Sequence, residues 1–221
     1  MGIGHFAVGL ALKKAEPRMN LGSLIFAAFL ADFLLGVFVW LGMEQYQVPS
    51  DVAAKHYLTF TFPYSHGLAA TILWSLLAAG LAFGLASPSG IRSRAAWIIA
   101  GAVFSHFILD AVVHVVGLPL FGGDSSKIGL GLWNHLGLEL SLEIFMAVVG
   151  LVIYLQCTQG RGLLACYGMI VLMALLTPAM VIGQATMTSA PPPSGLIASW
   201  ILAPLLLALS AYRLDRARAP A

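Results

Sequence analysis

Two runs of polar residues stand at helical spacing within otherwise apolar sequence. His106, Asp110 and His114 fall at i, i+4 and i+8, and His135, Glu139 and Glu143 repeat that spacing further along the chain. On an α-helix each trio lies along one face. His5, Asp32 and His66 add imidazole or carboxylate groups at other points in apolar sequence. Histidine with carboxylate and without thiolate suits zinc or another divalent first-row metal, whose charge also offsets the burial of acids. The same groups could instead form a metal-free hydrogen-bonded network that locks helices together, or a proton or ion relay.

The surroundings of these residues raise the stakes. Of 221 residues, 60% are hydrophobic and only 9% are charged, against about 25% charged in ordinary soluble domains. Such a chain is an integral membrane protein, in contact with membrane lipids. An ionisable side chain at mid-membrane costs roughly 2.5–3.5 kcal/mol on insertion scales, so it has a partner or a function. No basic run interleaved with aromatics offers a nucleic-acid surface. The two cysteines, Cys157 and Cys166, form no metal-type pair and read as small apolar residues near helix ends.

Spans of about 20 apolar residues cross the hydrocarbon core. Six candidates occur, at about 21–43, 64–86, 95–117, 134–156, 163–184 and 195–213, bounded by Gly, Pro or charge, as at Ser87 to Gly90 and Pro191 to Pro193. Lys13, Lys14, Arg18, Arg92, Arg94, Arg161, Arg213, Arg216 and Arg218 then share one side, leaving Lys55 and Lys127 on the other. By the positive-inside rule the rich side, with the C-terminus, is cytoplasmic. The N-terminal apolar run precedes its basic residues, unlike a secretory signal. The segment from Gly4 to Lys14 is too short to span. It is either an interfacial helix or a half-membrane helix that rises from a cytoplasmic turn at Lys13 to Arg18.

The expected architecture is therefore all-α: a polytopic helix bundle of about six spans plus a short N-terminal half-helix. At about 1.5 Å per residue, Asp32 and His106 lie ~16–17 Å from the cytoplasmic ends of their spans, and a half-helix would bring His5 ~12 Å above its turn. Asp110, Glu139 and His66 fall in the outer half, so the set converges near mid-membrane and opens toward the extracytoplasmic side. Residues 1–157 would carry the site, with two further spans and a basic tail in 158–221. His106, Asp110, His66 and Asp32 are the preferred site residues. His114 and His135 lie near the outer interface, where a solvated histidine is cheap and a site role is equally open; His114 is counted with His5, Asp32, His66, His106 and Asp110 as a metal residue. Glu139 and Glu143 could serve as general base, ligand partner or orienting residue.

Other patterns carry less. Ser65 and Ser105, each directly before a histidine, could suggest a nucleophile, but serines inside helices usually bond the backbone. His56, beside Lys55, reads as solvated. Trp133 and Trp200 read as aromatic-belt anchors. The methionines from Met169 to Met187 read as packing or lipid contact.

The chain resembles the membrane-bound metal-dependent hydrolases of bacterial inner membranes, the YdjM/YbcI-like group, over roughly residues 1–155. The likeness runs through Gly4-His5-Phe6, Ala31-Asp32 and Tyr64-Ser65-His66-Gly67-Leu68. Its most specific piece is Ser105-His106-Phe107-Ile108-Leu109-Asp110, followed by Val113-His114 and Gly117-Leu118-Pro119-Leu120, with Gly129 to Trp133 and Glu139 continuing it. The resemblance implies that His5, Asp32, His66, His106 and Asp110 are metal-site positions. Where the group often has Pro-Asp-Ile-Asp-His, this chain has Ala31-Asp32-Phe33-Leu34-Leu35. It thereby lacks a second acid and a histidine, which argues against a second metal.

The expected function is accordingly an intramembrane metal-dependent hydrolase of the bacterial inner membrane, with zinc as cofactor and a lipid-like or small-molecule substrate. A metal or proton-coupled transporter and a non-catalytic membrane scaffold are the alternatives.

Overall fold

Apolar stretches between Gly-, Pro- and charge-rich breaks form helices along most of their expected lengths. The computed structural model describes residues 2–85 and 91–221, so the expected boundary at Ser87 to Gly90 lies outside the described residues. Among the described residues five helices are long and apolar enough to cross a membrane: α5 (Leu68–Leu85), α6 (Arg92–Val113), α7 (Leu136–Cys157), α8 (Leu163–Ala185) and α9 (Pro193–Asp215). They fit a multi-pass membrane protein, and their leucine- and valine-rich outer faces are exposed, as lipid contact requires.

The first expected span is not one helix. It divides into α2 (Leu21–Ala28) and α3 (Leu30–Trp40), which meet at Phe29 with a bend of 54°. No proline or glycine stands at the break. A non-helical backbone carbonyl inside a bilayer must find a partner within the protein. Here the partner is a histidine, described below. The break also puts Asp32 in the first turn of α3, where a helix favours negative charge.

The N-terminal segment forms α1 (Gly2–Leu12), and this helix lies in the core. Ile3, Phe6 and Leu10 are completely buried against Leu21, Leu24 and Ile25 of α2 and Ala102 of α6. An interfacial helix would keep one face wet; α1 does not. Its backbone also approaches α7 so closely that a Cβ on Gly150 would stand 2.5 Å from the Ala7 carbonyl oxygen. Only glycine allows that approach, a device common among helices packed in lipid.

At the opposite end of α1, the turn into α2 is held by charge. Lys13 Nζ lies 2.5 Å from Asp215 Oδ2 on α9, and the same carboxylate accepts from the Leu21 amide at 3.3 Å and the Tyr154 hydroxyl at 3.1 Å. These contacts fix the register of α1, α2, α7 and α9 at one end of the bundle.

The remaining elements are short. A hairpin of β1 (Gln45–Gln47) and β2 (Thr59–Thr61) encloses the single-turn α4 (Val52–Lys55). The α6–α7 connection carries β3 (Leu118–Pro119) paired with β4 (Lys127–Ile128), then a 3-10 turn over Leu132–Asn134. A third antiparallel pair, β5 (Thr158–Gly160) with β6 (Arg218–Pro220), ties the end of α7 to the C-terminal tail. These pieces cover the helix ends and, among the described residues, form three two-stranded sheets and no closed one.

Candidate metal centre

α6 supplies the heart of the site. His106 and Asp110 are 1% and 2% exposed and sit one turn apart, with His106 Nε2 3.3 Å from Asp110 Oδ2. The structure brings four more of the expected residues to them. His5 of α1 places Nε2 3.3 Å from Asp110 Oδ1 and stacks its ring on that of His106, with centroids 3.7 Å apart. His66 Nε2 lies 3.6 Å from Asp110 Oδ2 and 3.2 Å from His106 Nε2. His114 Nε2 lies 3.4 Å from Asp110 Oδ2. Asp32 of α3 lies 3.7 Å from His66 Nε2 and 3.8 Å from His106 Nε2.

Two of these residues are held differently from expectation. His66 precedes α5 instead of lying within it, and its backbone amide turns back to the Phe62 carbonyl. His114 follows the last residue of α6 as an extended cap, so its contact with Asp110 comes from a helix end and not a continuous helical face. Gly129 explains that position. Its φ of 155° is rare for residues with a side chain, and a Cβ there would stand 2.5 Å from the His114 carbonyl oxygen.

The tautomers of His106 and His66 follow from their outer partners. His106 Nδ1 lies 2.8 Å from the Ala28 carbonyl oxygen at the α2–α3 break. A carbonyl only accepts, so this nitrogen carries the proton. His66 Nδ1 lies 2.8 Å from Ser65 Oγ, and that hydroxyl donates to Glu44 Oε2 at 2.6 Å. Glu44 Oε1 accepts from the Tyr64 and Ser65 amides at 2.8 and 2.9 Å, as a carboxylate would. Ser65 therefore accepts from His66, and Nδ1 again carries the proton.

Both imidazoles, when neutral, then direct Nε2 lone pairs inward. They face each other and the oxygens of Asp32 and Asp110, so acceptors meet acceptors in a buried pocket. Such a cluster is stable only around positive charge, supplied by a proton or a cation. Bond lengths of about 2.0–2.2 Å in a tetrahedral site place ligand atoms roughly 3.3–3.6 Å apart. The separations of 3.2 to 3.8 Å that link His66 and His106 to each other and to Asp32 and Asp110 bracket that spacing. Two overlapping trios, His5-Asp32-His106 and His66-His106-Asp110, each hold their ligand atoms within 4.8 Å of one another. His5 Nδ1 is also buried without a hydrogen-bond partner among the described residues.

Glu143 and Glu139 occupy a neighbouring place. Glu143 Oε1 accepts from the Gly2 amide at 2.8 Å, and Oε2 accepts from Ile3 and Gly4 at 2.7 and 3.1 Å. It thereby caps the N-terminus of α1, whose amides lack intrahelical partners and whose dipole attracts an anion. His5 follows directly, so Glu143 sets the helix that carries it. Glu139, one turn away on α7, accepts from Gln184 of α8 at 3.2 Å. Among the described residues neither glutamate bonds a member of the His/Asp cluster. His135 caps the start of α7, exposed.

An aromatic layer covers the cluster. Phe62 packs on His66 and His114, and Trp133 lies 3.9 Å from the His114 ring while stacking on Tyr57. Trp200 of α9 packs on Tyr46 and Phe60 of the hairpin. The two tryptophans thus cover the site side of the bundle. Asp32, with 27% of its side chain exposed, is the most accessible member of the cluster.

Neither Glu44 nor the Ala28 carbonyl carries a site signal in the sequence. Glu44 follows an apolar span, where an acid ordinarily signals only the return to water, and a backbone carbonyl leaves no mark in sequence. The Ser65-His66 pair was visible, but as a nucleophile motif and not as an orienting one.

No family model matches the chain, and no curated protein or solved structure matches it.

Proposed function

We propose that the His/Asp cluster holds one divalent metal ion, zinc the best suited, and that the protein is an intramembrane metal-dependent hydrolase. The observation that supports this most is the pair of His66 and His106 Nε2 atoms 3.2 Å apart, each with its proton directed outward. Soft ligands are absent from the cluster, and imidazole with carboxylate suits zinc. The hydrolase assignment is supported further by the resemblance carried by the Ser105 to Asp110 segment. The excess of Lys and Arg on one side supports a cytoplasmic C-terminus, and the resemblance supports a bacterial inner membrane.

His66, His106 and Asp110 would hold the ion, with His5, His114 and Asp32 completing or adjusting its shell. When bound, the ion would act as a Lewis acid on the scissile group and lower the pKa of a water. Ala28 and Ser65 orient two of the imidazoles. Asp32, at the accessible edge, is placed to take a proton from water. Glu143 holds α1, and so His5, in position. Burial under Phe62 and Trp133 excludes bulk water and strengthens each electrostatic contact. A site enclosed by helices in lipid suits a lipid-like or otherwise amphiphilic substrate.

Two measurements test this function. Purified protein in mixed micelles with a membrane lipid extract should release a hydrolysis product that a chelator suppresses and zinc restores. Absence of any metal-dependent product from lipid and amphiphilic substrates would count against the hydrolase. The Ser65→Ala variant should fold normally and bind metal about 10–100-fold more weakly, the range for residues that orient ligands. Competition with a fluorescent chelator measures it.

A second function has one observation in its favour. Discontinuous helices build the mid-membrane sites of many transporters, and α2–α3, broken at Phe29 with Asp32 in the first turn after the break, is such a helix pair. Metal or proton flux in proteoliposomes, abolished by Asp32→Asn, would identify a transporter.

A further inference from the structure

A groove of about 880 Å³ runs between α2, α5, α6 and α9, away from the metal cluster. Its walls are apolar and its floor is built from small residues, among them Ala27, Ala78, Ala82 and Ala208. On α5 it extends from Trp74 to Leu85. Those positions span ~16 Å along a helix, close to one leaflet's half of the ~30 Å hydrocarbon core. The groove therefore has the length of one acyl chain and lies open along the lipid-facing side of the bundle.

Its polar end is not neutral. Arg18, Met19, Asn20 and Tyr212 line the groove and also line an adjoining pocket of about 340 Å³. Lys13, Arg216 and Arg218 complete the charge around that pocket, so four cationic side chains face one carboxylate, Asp215. Three of the cations have partners. Lys13 binds Asp215, Arg18 lies 2.8 Å from Glu16, and Arg218 bonds Thr158. Arg216 is exposed, with no ion pair among the described residues. The pocket thus has a positive balance that the protein does not neutralise.

We infer that the groove and pocket form one binding site for an anionic phospholipid. The headgroup phosphate sits between Arg216 and Arg18, the glycerol region lies beside Tyr212 and Asn20, and an acyl chain follows α5. Charge complementarity selects the occupant. A zwitterionic lipid fills the groove equally well but gains less at the pocket, and a packed helix fills the groove without using the cations. The site does not depend on the metal or on the proposed hydrolysis.

The test is native mass spectrometry of the full-length protein released from nanodiscs of equal phosphatidylglycerol and phosphatidylcholine. Retained phosphatidylglycerol should exceed phosphatidylcholine by about fivefold for each engaged cation. Arg216→Gln should reduce that preference about fivefold, and Ala82→Trp, which fills the groove, should reduce retention of both lipids. Metal content should be unchanged in both variants, which separates this result from failure of the metal site. Equal retention of the two lipids would overturn the inference, as would an unaltered preference in Arg216→Gln. So would a second protein copy in place of lipid, or competition by inorganic phosphate without any acyl dependence.

Discussion

Asp110→Ala should abolish metal retention, with a loss of affinity well beyond the ~10–100-fold that removal of a supporting residue causes. Asp110 receives four imidazoles: His5 on Oδ1, and His66, His106 and His114 on Oδ2, all between 3.3 and 3.6 Å. Its removal takes away a ligand and the negative charge that balances the cation. A ligand that binds only the folded state raises apparent stability by mass action. Chelation should therefore lower the melting temperature of the wild-type protein in detergent and leave that of folded Asp110→Ala unchanged. Asp110→Asn keeps the shape without the charge, and should behave like the alanine variant in chelator competition. If the cluster is instead a metal-free hydrogen-bond network, chelation moves neither protein.

Glu143→Leu should destabilise the bundle by about 3 kcal/mol, since it uncaps three amides of α1 and each buried unsatisfied donor costs about 1–3 kcal/mol. Water cannot easily replace the carboxylate, because Ile3 and Gly4 are buried. Glu143→Gln retains an acceptor and should recover part of the loss. Denaturant titration in micelles measures both. The effect should reach the metal as well, because His5 follows the three capped residues and stacks on His106. A general base behaves otherwise: Glu143→Gln would then abolish turnover while stability and metal affinity stayed at wild-type values.

Much of this site is legible in the chain because burial in a membrane makes ionisable residues conspicuous. His106 and Asp110 are separated by one helical turn, so their meeting depends on no tertiary information. His5 required more. Gly4 to Lys14 reads as either an interfacial helix or a half-membrane helix rising from a turn at Lys13, and the buried Lys13–Asp215 pair and the burial of His5 realise the second. The break at Phe29 had no such sign. The sequence from Leu21 onward, apolar but for Ser23 and Asp32 as far as Met43, predicts one straight span, and the partner of the Ala28 carbonyl at the break, His106, stands 78 residues away.

The same reasoning explains the residues whose roles shifted. Glu139 and Glu143 share a helical face, as their spacing requires, but the face meets the N-terminus of α1 and Gln184 of α8. Which helix a polar face meets is a matter of packing, and spacing alone does not carry it. Glu44 is 21 residues from Ser65 in sequence, and only the path of the β1–β2 hairpin returns the chain to it. Helix periodicity thus pairs His106 with Asp110, whereas loops and a helix break supply the groups that orient the imidazoles.

The proposed site holds a metal ion between His66, His106 and Asp110 inside the bundle. Elemental analysis of detergent-purified protein from metal-replete cells, beside a folded His106→Ala variant, tests it most directly. About one divalent ion, zinc first, is expected per wild-type chain, with only trace metal in the variant. Trace metal in folded wild-type protein, or full retention of the ion by His106→Ala, would contradict it.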